Sequence, residues 1–117
     1  MFENAEIISS YTADEAIEDG FLIDVSEMAS EAGFKWPVRI TQSVHKLCTP
    51  PKSNKIQSYD GRLWDVLWMA FIAVRRVKND HMTTYKVKIG RKLHILWAVI
   101  DRTSRRPAIH IMLPEDY

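Results

Sequence analysis

The side chains in this sequence best suited to catalysis or metal binding are four histidines, His45, His81, His94 and His110, and a single cysteine, Cys48. His45 and Cys48 stand three residues apart in a stretch with helical spacing, which is a legal ligand spacing. A structural zinc site uses four such ligands, and no zinc pattern accompanies these two. His94 and His110 fall on segments expected to pair as strands, with Asp101 between them. A hydrolase built on His94, His110 and Asp101 is therefore one reading. Hydrolysis through a covalent step needs a nucleophile with a base beside it. The sequence has no Gly-x-Ser-x-Gly, no papain-type cysteine signature and no glycine-rich phosphate loop, its four glycines being scattered at 20, 33, 61 and 90. The chemistry expected is that of a protein that binds rather than catalyses, with no metal and no cofactor. Cys48 is expected to be an inert core thiol.

Charge is the stronger signal. Residues 1–34 carry nine acids and no Lys or Arg, whereas residues 35–117 carry all sixteen basic residues against six acids. The net charge of +1 conceals this polarity. One explanation is internal, an acidic arm that lowers the self-repulsion of a basic body. The functional explanations are an acidic face that imitates nucleic acid or a basic face that holds phosphate. Asp14, Glu15, Glu18 and Asp19 are the candidate acidic binding residues. Arg75, Arg76, Arg91, Arg102, Arg105 and Arg106 are the alternative, a basic surface for nucleic acid or a nucleotide. In a hairpin meander the turn at 90–92 and the loop at 101–106 lie at opposite ends of one strand, which divides these cations.

The elements that must position these groups can be read from spacing. Thr12-Ala13-Asp14-Glu15 forms a capping box for a short helix over 13–19, ended by Gly20. Phe21-Leu22-Ile23 is a short strand or buried bridge. Asp24 is placed as the N-cap of a second helix that stops at Gly33, with Val25, Met28, Ala29 and Ala32 as its apolar stripe. Phe34-Lys35-Trp36-Pro37 is a break, because Pro37 biases Trp36 away from helix. Thr41 caps a third helix over 42–48, with Val44, Leu47 and Cys48 inward. A polar loop with two prolines follows over 49–55. From Gly61 to Val77, capped by Asp60, the chain is apolar nearly all round except for Arg62, Asp65, Met69 and Arg76. That pattern predicts a buried spine helix with Trp64 in the core. Tyr85, Val87 and Ile89 alternate with Thr84, Lys86 and Lys88, a strand with one wet face. Gly90-Arg91 suits a tight hairpin turn. Leu93–Ile100 is expected as a central strand, and Ala108–Leu113 closes the meander. The fold expected is α+β: a three- to four-stranded antiparallel sheet packed against one long buried helix, with short N-terminal helices.

The chain of 117 residues is read as a single domain. Its hydrophobic fraction of 46% and charged fraction of 26% are those of an ordinary globular protein. No apolar run approaches the ~18 residues of a membrane span, and the first residues lack the basic start of a signal peptide. A lone cysteine suits a reducing cytoplasm. Four tryptophans is a high count for this length; they fill a core or furnish a recognition surface. An uncovered strand edge in so small a sheet is compatible with homodimerisation.

Several strings carry a resemblance. Ser10-Tyr11-Thr12-Ala13-Asp14-Glu15-Ala16-Ile17-Glu18-Asp19-Gly20, Leu22-Ile23-Asp24-Val25-Ser26-Glu27 and Glu31-Ala32-Gly33-Phe34 are followed by Pro37-Val38 with Thr41. Asp60-Gly61-Arg62-Leu63-Trp64-Asp65-Val66-Leu67-Trp68-Met69-Ala70 comes next, and Ile109-His110-Ile111-Met112-Leu113-Pro114 closes the series. On these the chain resembles an uncharacterised bacterial family, domain of unknown function 6573. The loop at 49–58 and the segment 78–106 match it loosely. The resemblance brings no activity. It implies a context, since such proteins resemble small products of phages, plasmids and other mobile elements. By analogy with proteins of that size and origin, it implies an inhibitor of host defence of the anti-CRISPR kind, acting by occluding a host protein, or a sponge for signalling nucleotides.

Overall fold

The computed structural model describes residues 22–52, 58–77, 81–102 and 106–117. The fold is α+β, and the described residues form a five-stranded mixed sheet and three helices. The elements are β1 (Leu22–Asp24), α1 (Ser26–Ala32), β2 (Val38–Thr41), α2 (Gln42–Cys48), α3 (Tyr59–Arg76), β3 (Met82–Ile89), β4 (Lys92–Asp101) and β5 (Ala108–Met112). A 3-10 turn, Pro114–Asp116, closes the described chain. The expected helix over 13–19 lies outside the described residues.

The sheet order is β1-β2-β5-β4-β3. β3–β4 and β4–β5 are antiparallel, as a meander requires. β2 then joins β5 in parallel, with Val38 opposite Ile109 and Ile40 opposite Ile111, and β1 adds antiparallel to β2. The expected all-antiparallel sheet of three or four strands is thus corrected to a mixed sheet of five. β2 is short, and its partner lies far along the chain, so local alternation carries little trace of it.

All three helices pack on one face of the sheet. Val38, Ile40, Leu96, Ile109 and Ile111 from the strands meet Leu67, Val66 and Ala70 of α3, Val44 and Cys48 of α2, and Ala29 of α1 in one core. Tyr85 closes it: its hydroxyl donates to the Val66 carbonyl at 3.1 Å. The alternation read in β3 is present, with Tyr85, Val87 and Ile89 buried and Thr84, Lys86 and Lys88 exposed.

Helix ends follow local chemistry. Thr41 Oγ1 accepts from the Val44 amide at 3.4 Å, capping α2 where expected. α3 starts earlier than expected, and its cap is Ser58, whose hydroxyl accepts from the Gly61 amide at 3.0 Å. Asp24 does not stand at the N-cap of α1; Val25 does, and Asp24 Oδ1 accepts from the Ser26 amide at 2.8 Å. Gly33 ends α1 at φ 121°, and a Cβ there would sit 2.7 Å from the Phe71 ring. Glycine is therefore required both for the turn and for the close approach of α3. Gly90, at φ 64°, makes the β3–β4 turn. The C-terminal turn is tied back by Asp116, whose carboxylate accepts from Thr41 Oγ1 at 2.8 Å, Ser43 Oγ at 2.9 Å and the Leu113 amide at 2.9 Å.

Candidate binding surface

α3 is not a spine buried on all sides. Leu63, Val66, Leu67 and Ala70 are buried, but the helix has the sheet on one side only. Its outer side carries Trp64 at 37% exposure and Trp68 at 44%, and Trp36 beside it is 39% exposed. The core placement expected for Trp64 is therefore corrected. Residues at i and i+4 share a helix face, and here they form a line of rings. Trp64 and Trp68 stack nearly parallel, centroids 6.1 Å apart at 10°. Trp68 and Phe71 follow at 6.1 Å and 30°, and Phe34 meets Phe71 edge-on at 5.3 Å. The Arg75 guanidinium caps the line, 5.4 Å from the Phe71 ring centre.

Beside this line, the segment Gly33–Trp36 and the C-terminal half of α3 enclose a groove of about 370 Å³. Phe34, Trp36, Phe71 and Val74 line it, Ile109 contributes from β5, and its ionisable lining groups are Lys35 and Arg75. It contains no nucleophile beside a base, so its chemistry is that of binding: π faces and alkyl surface with a cationic rim. Asp65, near Trp64 on the helix, is exposed to solvent.

The six arginines of the basic reading are divided by the sheet register. Arg76 lines a shallow depression with Thr83 and Thr84 at the start of β3, and Arg75 lies near Ile109 at the start of β5. Met82 pairs with Val99 and Asp101 with Ala108, so Arg102 and Arg106 flank the same end of the sheet. Arg91 sits at the other end, in the turn whose Gly90 lies against the Arg62 guanidinium at the start of α3. Arg105, and the acidic candidates Asp14, Glu15, Glu18 and Asp19, lie outside the described residues.

The histidines are not assembled into a site. His94 points to the helix side of β4 and His110 to the opposite side of β5, so the expected proximity of these two fails although their strands are paired neighbours. His110 Nε2 lies 3.6 Å from Asp101 Oδ2. Its pKa is lowered by burial, partly offset by Asp101 and reinforced by Arg39. His45 Nδ1 is bonded to the Tyr59 hydroxyl at 2.8 Å. Cys48 is fully buried, and burial raises its pKa to about 11 against a smaller opposing pull from Arg62. A thiol in that state is no nucleophile. Among the described residues no group of three or more His, Cys, Asp or Glu is placed to hold a metal ion. None of the described helices is long and apolar enough to cross a membrane.

Sequence reasoning left open a recognition surface of tryptophans without assigning Trp68 to it, and it missed the Phe34–Trp36 segment as a groove wall. The available signal was the excess of tryptophan together with a helix too apolar for the one side that a sheet can cover. No curated protein and no solved structure matches the chain. The family described as a family of unknown function, DUF6573, matches residues 1–117, and the chain belongs to that family.

Proposed function

We propose that this chain is a non-enzymatic binding protein that acts by occupying the surface of a partner protein, with the outer side of α3 as the contact. The observation that carries the reading is three half-exposed tryptophans, Trp36 in the wall of the groove and Trp64 and Trp68 in the line of rings that leads to its Phe71 wall. Tryptophan and arginine dominate the energetics of protein interfaces, because each places a large apolar area and a polar group at one point. The biological setting proposed is inhibition of a host defence factor by a small mobile-element product, and it rests on the family resemblance alone.

The test is capture of partners from host lysate by the wild-type chain and by Trp64→Ala/Trp68→Ala, at low and high salt. Neither side chain belongs to the buried core, so the double variant should still fold, with some stability lost from the stacked rings, and its fold is checked by circular dichroism. A protein retained by the wild type at high salt should be lost by the variant, with affinity reduced about 30-fold or more for a central anchor. Equal retention by both forms refutes this contact.

A second reading is favoured by one specific observation, the cations Lys35 and Arg75 on the rim of the aromatic groove. Base stacking on aromatic rings with phosphates held by Lys and Arg is the chemistry of single-strand and nucleotide binding. In that case the captured species is a nucleic acid or nucleotide, and it is released as salt rises.

A further inference from the structure

We propose that Arg39 holds an oxyanion, a carboxylate or a phosphate group, on the face of the sheet opposite the helices. The inference is independent of the tryptophan surface.

Arg39 occupies the middle of β2. Its neighbours Val38 and Ile40 point into the core, and strand alternation turns Arg39 to the other face. There it is only 8% exposed, and its Nε and Nη1 have no hydrogen-bond partner. A buried guanidinium without a counter-charge is among the most costly ways to fill a strand position, and an aliphatic side chain of like volume there would cost less. The adjacent carboxylates are directed elsewhere. Asp24 stands directly across from Arg39 on β1, but it accepts from the Ser26 amide. Asp101 lies against His110. His110 faces Arg39 across the β2–β5 pair, and its Nε2 also lacks a hydrogen-bond partner. The planar guanidinium fork fits the two oxygens of a carboxylate or phosphate better than any other partner.

Such a group has two sources. One is a phosphate from solution or on a ligand. The other is the chain itself, through Glu3, Glu6, Asp14, Glu15, Glu18 or Asp19. Thermal melts of the full chain in inorganic phosphate and in chloride of equal ionic strength separate them. Three proteins are compared: the wild type, Arg39→Met, and a variant with those six carboxylates changed to amides.

If the oxyanion comes from solution, phosphate raises the midpoint of the wild type by several degrees and leaves that of Arg39→Met unchanged. If it comes from the chain, Arg39→Met and the amide variant each lower the midpoint, and combining them lowers it no further. Phosphate then restores the amide variant only. Should Arg39→Met fail to fold, Arg39→Lys keeps the charge and loses the fork, and its response to phosphate should weaken about 10-fold. The proposal is overturned if phosphate shifts the midpoint of Arg39→Met as much as that of the wild type, or shifts neither, and Arg39→Met shows no coupling to the amide variant.

Discussion

The two faces of the sheet are built on opposite terms. On the helix face, strand side chains such as Ile40, Leu96 and Ile111 are wholly buried against α1, α2 and α3, and the Tyr85 hydroxyl that closes that layer is paired. On the other face, β2 and β5 carry Arg39 and His110 in the middle, with Asp101 beside them, while Leu93 at 63% and Ile95 at 50% exposure lie open on β4. Tyr117 packs on Trp97 at the margin, ring centres 4.9 Å apart. The first face accounts for folding. The second holds ionisable groups that a purely structural layer would not need.

The comparison can be broken hardest on the helix face. Leu67→Ala removes a fully buried side chain between helix and sheet. It should cost about 3 kcal/mol in urea unfolding. A cost under about 1 kcal/mol would mean that α3 is not sealed against the strands.

On the second face the expected effect is smaller and depends on pH. The folded pKa of His110 lies below its ordinary value of 6.5 because burial disfavours the charged ring. The unfolded chain therefore binds more protons in the window below 6.5, and stability falls as pH is lowered through it. Urea midpoints from pH 7.5 to 5 should decline for the wild type and decline less for His110→Gln. Parallel curves would remove His110 from the acid sensitivity.

The smallest effect belongs to the open patch. Leu93→Lys and Ile95→Lys each replace a side chain that is half or more exposed, and each should change stability by no more than about 0.5 kcal/mol. A larger loss would show that this part of the second face is covered in solution.

Much of this architecture was legible in local pattern. Thr41 before Gln42–Cys48, the alternation of Tyr85, Val87 and Ile89, and the Gly90 turn each declare themselves within a few residues, because caps, pleats and turns are local. β2 was not legible. Four residues after Pro37 are too few for a periodicity, and their partner β5 lies at the far end of the sequence. α3 misled for another reason: hydropathy counts tryptophan as core, whereas a helix lying on a sheet has one covered side and presents Trp64 and Trp68 on the other. Arg39 within Val38-Arg39-Ile40 was a visible break in an apolar run, but it acquires meaning only when β1 and β5 flank it. The aromatic surface combines Phe34 and Trp36 with α3, two segments that hydrophobic spacing alone does not bring together.

The position of β5 also governs the order in which the molecule can be assembled. It is the last of the five strands to be synthesised, yet it lies at the centre of the sheet, between β2 and β4. Before it arrives, β1–β2 and β3–β4 are separate two-stranded pieces, and such pieces are marginal alone. Each then presents an unpaired edge, on β2 and on β4, of the kind that templates association between chains. One five-residue insertion closes both edges at once. During synthesis, the interval before β5 emerges is when this chain is most exposed to aggregation, and a chaperone that shields the β2 and β4 edges would act in that interval.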